Sequence, residues 1–271
     1  MTEYETLRIE VADKVATIWL NRPEQRNAFS TQMTYQLHEA FAELEADDEV
    51  RAIVVTGTGP YFSAGADLGR PGGAFSGSGA SSSGNTEYAI EPFQMRTPII
   101  AAMNGSAAGM GVTLPTQWDV RFGAAEAKYG FVFTRRGIVP ELSSTWMVPR
   151  LIGLSKAMEL LLSGRYFSGA EAAEMGLFAR ALPAAEVLPA ALEYARDLAA
   201  NTSPVSVGVT KALIYKAFGE PDPVAAHDRE RYFVRLLGGQ ADSKEAVKAF
   251  LEKRPPEWQL SKTKDFPAAD L

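Results

Sequence analysis

The sequence predicts an α/β fold, with strands concentrated in the first half and helices in the second. Three observations predict it. Short runs rich in apolar and β-branched residues, bounded by turn residues, recur as far as about residue 131. From Pro140 onward, longer segments carry apolar residues three and four positions apart. A strand-strand-helix succession also recurs at least twice, without strong identity between the copies.

Leu7-Arg8-Ile9-Glu10-Val11 alternates and reads as a half-buried strand. Asp13-Lys14 is a turn, and Val15–Leu20 is a second strand, so the chain opens with a hairpin. Asn21-Arg22-Pro23 breaks it. Ser30 or Thr31 caps a helix to about Ala46, with Met33, Leu37, Ala40, Phe41 and Leu44 on one face. His38 lies within this helix and reads as a surface or rim residue. Val50–Gly57 is nearly all apolar and reads as a strand buried on both faces. Residues 70–84 are rich in glycine and serine and have no packing pattern, which describes either a flexible surface insertion or a mobile lid. Asn85–Met95 reads as helical. Ile99–Met103 is a buried strand, Trp118–Gly123 another, and Ala127–Phe131 a short extended piece. A helical region begins at Pro140-Glu141 and stops at Pro149. Ser155–Leu162 is a helix capped by Ser155 and ended by Gly164. Ser168 caps a helix that Gly176 terminates. Helices follow over Leu188–Asn201, Pro204–Phe218, Pro223–Leu237 and Ser243–Lys253.

Composition narrows the chemistry. The chain has 271 residues, 46% of them hydrophobic, enough for one large domain or a domain with a helical extension. It contains no cysteine, which excludes disulfides, thiolate chemistry and cysteine-type zinc sites and fits a cytoplasmic protein. Two histidines, His38 and His227, leave little for a serine-histidine triad or a histidine metal site. No apolar run reaches the ~18 residues of a membrane span. The acidic, polar first residues do not resemble a signal peptide. A net charge of −6 argues against nucleic acid as a partner.

Three stretches hold the candidate chemistry. Asn104–Thr113 follows a buried strand and offers Gly105, Gly109 and Gly111. It is either a plain turn or a place where free amides at the start of a helix near Met110 meet negative charge on a substrate oxygen. Asp67, after Ser63-Ala64-Gly65-Ala66, is a helix cap or a catalytic carboxylate. Glu141 sits in a low-charge setting with Phe131, Phe133 and Trp146 near it in sequence. It is either a first-turn glutamate favoured by the helix dipole or a carboxylate whose raised pKa suits proton transfer. Asp119 and Arg121 alternate on one strand and read as a structural ion pair or turn contact.

Four segments in order resemble the crotonase (enoyl-CoA hydratase/isomerase) superfamily. Asn21-Arg22-Pro23-Glu24-Gln25-Arg26-Asn27-Ala28-Phe29 is similar to its NRP…NAL/F signature, and Phe62-Ser63-Ala64-Gly65-Ala66-Asp67-Leu68 to its F-x-A-G-A-D motif. Asn104–Gly111 is similar to N-G-x-A-x-G-G-G, and Phe250-Leu251-Glu252-Lys253-Arg254 to F-x-E-K-R. The resemblance runs from Leu7 to about Trp258. It implies a spiral of β-β-α turns over residues 1–200 and a helical trimerisation region over 201–271, assembled as a trimer or a dimer of trimers. It implies an acyl-CoA thioester as substrate, with no metal and no cofactor beyond the CoA of the substrate.

By motif position the thioester oxygen falls to the Ala66 and Met110 amides. Met110 replaces the usual glycine, which keeps the N–H and adds bulk at the pocket wall. Gln25, Arg26, Ala64, Gly65, Asp67, Leu68, Gly109, Thr113, Phe133 and Trp146 fall in the binding region, and Arg22 and Lys253 are candidates for the CoA phosphates. The two glutamates of the family's hydratases map to Thr113 and Phe133, so neither is present. Glu141 matches the acidic base of the isomerase branch, in a P-E-x-x-S-S-like segment. The resemblance therefore implies a 3-enoyl-CoA to 2-enoyl-CoA double-bond shift with Glu141 as acid and base. The alternatives are a hydratase-like lyase or a hydrolase in which Glu141 activates water, and a non-catalytic member that binds acyl-CoA or RNA.

Overall fold

The computed structural model describes residues 2–67 and 90–271. Leu68 and the 70–84 insertion lie outside the described residues, as does the first part, 85–89, of the Asn85–Met95 helix expectation. Of that last segment, the described part holds a short 3-10 turn at Pro92–Gln94.

The chain alternates between two sheets. The larger has six strands in the order β1 (Leu7–Ala12), β2 (Val15–Leu20), β3 (Ala52–Gly57), β5 (Ile99–Met103), β7 (Val120–Ala124) and β10 (Arg180–Leu182). Only the β1-β2 hairpin is antiparallel, and Asp13 and Lys14 make its turn with positive φ. The smaller sheet runs β4 (Tyr61–Ser63), β6 (Ser106–Ala108), β8 (Lys128–Gly130) and β9 (Tyr166–Ser168). Strands β4, β6 and β8 are parallel. Each spiral turn thus lays one strand in the large sheet and the next in the small one, as β3-β4, β5-β6 and β7-β8. Three loops leaving the C-terminal ends of β4, β6 and β8 are consequently neighbours.

Helix α1 (Thr31–Ala46) packs on the first core. Its cap is Ser30, whose hydroxyl accepts the Met33 amide, and all five expected apolar positions are buried. His38 corrects the sequence reading. It is 4% exposed and edge-on to Phe41, because it lies about one helical turn before Phe41 beside the buried stripe. Helix α6 (Ala184–Asn201) covers the opposite face of the large sheet with Val187, Ala191, Ala195 and Ala199, and Pro189 lies inside it. Small residues at this spacing let the helix approach the sheet closely.

Several boundaries differ from expectation, α6 beginning at Ala184 rather than Leu188 among them. Helix α3 spans Ser144–Ile152, so Pro140-Glu141 precedes it and Pro149 lies within it. Helix α4 (Leu154–Ser163) starts after Gly153, so Ser155 is inside rather than capping. Helix α5 (Gly169–Glu174) is capped by Ser168 as expected. Helices α7 (Pro204–Ala217), α8 (Pro223–Gly238) and α9 (Ala241–Glu252) form the C-terminal layer.

Two buried lysines tie that layer to the spiral. Lys211 Nζ donates to Asp119 Oδ2 at 2.8 Å and to Pro92 O at 2.9 Å. Asp119 therefore pairs with Lys211, not with Arg121. Arg121 instead donates to the carbonyls of Leu177, Pro115 and Trp118. Lys262 in the C-terminal tail donates to Leu44 O, Val50 O and Thr97 Oγ1. Burial lowers its pKa to about 8. No helix among the described residues is long and apolar enough to cross a membrane.

Candidate active site

A buried asparagine, Asn27, and a half-buried one, Asn104, position the site. Asn27 is fully buried and donates to Thr58 O and Tyr61 O, while its Oδ1 accepts the Arg22 amide. Asn104 donates to Gly57 O and Gly59 O and accepts the Gly57 amide. Both side chains complete the backbone hydrogen bonding of the β3-β4 turn, whose buried polar groups would otherwise be unpaired. The first and third sequence motifs thus hold the frame from which the second is presented.

The turns after β4 and β6 interlock through glycines. Gly65 has φ +92°, and a Cβ there would fall 2.5 Å from Ala108 O and 3.5 Å from the Met110 nitrogen. A Cβ at Gly111 would fall 2.5 Å from Ser63 O. Each turn therefore seats a glycine against the backbone of the other. On the first turn, Phe29 donates to Gly65 O at 2.8 Å and Asp67 donates to Phe29 O at 2.9 Å. Successive amides of an extended segment point to opposite sides, so the Ala66 N–H faces away from Phe29. On the second, Gly109 has φ +54° and donates to Gly130 O, and Met110 opens the four-residue helix α2 (Met110–Thr113). The first amide of a helix has no intrahelical acceptor. Neither the Ala66 nor the Met110 amide has a backbone acceptor among the described residues. The Met110 side chain packs against the main core, which accommodates the bulk that replaces glycine.

Glu141 joins this pair through Thr113. The Thr113 hydroxyl donates to Glu141 Oε1 at 2.6 Å, from the last residue of the same short helix that Met110 begins. Four helical residues span ~6 Å, so the carboxylate is anchored about one turn from the Met110 amide. Taken over the whole residue Glu141 is exposed, yet enough protein surrounds its carboxylate that desolvation raises its pKa. The Thr113 hydrogen bond opposes that shift. Leu142 and Ser143 follow with φ +53° and +55°, an uncommon left-handed pair without glycine. The Leu142 carbonyl accepts Gln117 Nε2 at 3.0 Å, and the Glu141 carbonyl accepts Ser144 Oγ at 2.6 Å. Phe133 is buried, with its ring edge 3.9 Å from where a Gly109 Cβ would stand.

The family model for enoyl-CoA hydratase/isomerase matches residues 10–261. This chain belongs to the enoyl-CoA hydratase/isomerase family. An enoyl-CoA hydratase of Alternaria alternata, ACTT3, is 36% identical over 250 residues, covering 92% of this chain and 84% of the relative. The 1,2-epoxyphenylacetyl-CoA isomerase of Escherichia coli K12 is 35% identical over 260 residues, covering 94% and 98%. Among solved structures, a probable enoyl-CoA hydratase/isomerase from Mycobacterium abscessus superposes with a TM-score of 0.83 at 39% identity, covering 95% of this chain and 99% of that one. The crotonase spiral implied by the four motifs is the fold observed.

The remaining positions drawn from the family resemblance divide into two groups. Ala64 donates to Arg26 O, and Arg26, with φ +52°, lies over the Tyr61 ring, so Gln25, Arg26 and Ala64 form one continuous rim beside Gly65. Arg22 is engaged otherwise. It donates to Asp67 Oδ2 at 3.0 Å and to Ala28 O at 2.6 Å, so its charge and that of Asp67 brace the loop. Trp146 lies on α3 with the Arg150 guanidinium 3.9 Å from its ring centroid and Phe218 beside it. Lys253 ends α9 in a left-handed conformation, in the C-terminal layer. The sequence reading missed Gln117. It sits four residues beyond Thr113, past the last glycine of its motif, and nothing local marked it as a partner of Leu142.

Proposed function

We propose that this protein shifts the double bond of an acyl-CoA thioester from the 3-position to the 2-position. The Ala66 and Met110 amides hold the thioester oxygen, and Glu141 moves the proton from C2 to C4. The observation that favours this is the Glu141 carboxylate, which the Thr113 hydroxyl anchors about one helical turn from the Met110 amide. The positions that hold glutamates in the family's hydratases are Thr113, whose hydroxyl instead serves Glu141, and Phe133, whose ring packs at Gly109. A double-bond shift needs one group that gives back the proton it takes, whereas hydration needs a group that also activates water. An enolate oxygen held by preorganised amides lowers the barrier for removing the C2 proton, and losing one such donor costs on the order of 3 kcal/mol. The aromatic wall at Phe133 excludes water from competing.

A second reading has one observation in its favour. Glu141 retains accessible surface, which leaves room for a water it would activate in a hydration or hydrolysis. Relatives named as hydratases are compatible with it. Incubation with a 3-enoyl-CoA and with a 2-enoyl-CoA separates the two. Conversion of the first to the second, lost in Glu141→Gln, supports the isomerase. Hydration of the 2-enoyl ester as the main activity overturns it.

We also propose that the chain works as a homotrimer or a dimer of trimers. Phe250 and Leu251 of the fourth motif are 81% and 73% exposed, and Val234 and Val247 are similarly bare. Apolar groups clustered on a helical surface favour association.

A further inference from the structure

The Thr113 hydroxyl has one hydrogen and two acceptors. Its oxygen is 2.6 Å from Glu141 Oε1 and 3.4 Å from Gly109 O, both with hydrogen-bond geometry. The Gly109 carbonyl, which already accepts the Val112 and Thr113 amides at 2.8 and 3.0 Å, belongs to the same peptide unit as the Met110 N–H, so the hydroxyl would be a third and longer donor to it. The side chain is fully buried, so solvent does not supply a competing partner. Burial and this hydroxyl are the influences on Glu141, and no charged side chain is among them.

We propose that Thr113 is a positioning residue that couples the protonation of Glu141 to the strength of the Met110 N–H as a donor to the substrate oxygen. This deepens the isomerase reading and rests on it for the identity of the oxygen. With Glu141 ionised, the hydroxyl donates to Oε1, the closer and charged acceptor, because charge-assisted hydrogen bonds are the stronger kind. When the carboxylate takes the C2 proton, Oε1 becomes a neutral acceptor or itself donates to Thr113 Oγ1. The hydroxyl hydrogen then turns to Gly109 O. The proton taken from carbon stays on Glu141, and Thr113 neither gains nor loses one. A hydrogen bond to a peptide carbonyl polarises the N–H of the same peptide. The Met110 amide is thus strengthened at the stage when negative charge has moved onto the thioester oxygen, and relaxed once the proton is returned.

The test compares wild type, Thr113→Val and Thr113→Ser, with Thr113→Ala where valine does not fold. The Glu141 carboxyl band is followed by infrared spectroscopy across pH, identified by its loss in Glu141→Gln, with no substrate present. A shift of the Thr113→Val midpoint upward by about one pH unit, reversed in Thr113→Ser, supports the coupling. An unchanged midpoint overturns it. The carbonyl stretch of bound saturated butanoyl-CoA is then read on both sides of the wild-type midpoint. A lower wavenumber with Glu141 protonated, in wild type and Thr113→Ser but not in Thr113→Val, supports the proposal. The same shift in Thr113→Val, or none in wild type, overturns it, and an ester that does not bind overturns both proposal and reading. Spectral coupling in an enzyme that hydrates 2-enoyl-CoA and does not isomerise 3-enoyl-CoA keeps the coupling and removes only the isomerase reading.

Discussion

Gly65 and Ala108 lie so close that a methyl group on Gly65 would fall 2.5 Å from the Ala108 carbonyl oxygen. This contact between the turns after β4 and β6 brings the Ala66 and Met110 amides side by side. Gly65→Ala meets two obstacles: the backbone collision and a φ of +92°, which an L side chain rarely adopts. The turns must separate, and on the proposed mechanism one amide then leaves the substrate oxygen. The expected result is a loss of about 100-fold in kcat/KM with a lowered melting temperature. Steady-state kinetics with a 3-enoyl-CoA and thermal unfolding check both.

Gln117 holds the residue that follows Glu141. Its amide nitrogen reaches the Leu142 carbonyl, inside the left-handed Leu142-Ser143 pair that aims Glu141. Gln117→Leu keeps the volume and removes that bond. The expected cost is about 1 kcal/mol of stability with kcat reduced several-fold and KM little changed, because a buried hydrogen bond is worth about that much. A rise in KM with unchanged kcat would show that Gln117 serves substrate binding instead.

Lys211 and Asp119 form a buried pair that fastens α7 to the start of β5, where Asp119 also accepts the Ile99 amide. Lys211→Met leaves the half-buried Asp119 carboxylate without its cation, with the Ile99 amide still donating to it, so the cost falls towards the low end for such pairs. Breaking such a pair from one side typically costs about 3–5 kcal/mol. Urea unfolding is the measurement, and the double variant Lys211→Met with Asp119→Asn is expected to recover part of the loss.

His38 makes stability depend on pH. Burial lowers its pKa from 6.5 to about 4. Between those values the unfolded chain binds the proton and the folded chain does not, so stability falls as pH drops from 6.5 towards 4. The full window is worth on the order of 3 kcal/mol. Urea unfolding at a series of pH values checks it. His38→Leu is expected to flatten the profile across this window.

The sequence by itself determined the local elements and the order of the motifs. Apolar spacing placed α1 and its buried face, alternation placed the opening hairpin, and the glycines marked where backbone had to turn or approach. These are properties of consecutive residues, governed by local sterics and by which side of an element is apolar. The four motifs in order also implied the spiral, through their resemblance to the family. What consecutive residues do not encode is which distant groups meet. His38 looked like a rim residue because its polar character outweighed its place in the buried stripe. Glu141 looked like the start of a helix because proline and glutamate favour a first turn. The tertiary fold instead holds it before the helix, ahead of the left-handed Leu142-Ser143 pair to which Gln117 donates, and met by Thr113. Only packing of the loops from β6 and β8 brings Thr113 to Glu141. That contact, across 28 residues of chain, turns a missing glutamate into a hydroxyl that works for the one that remains.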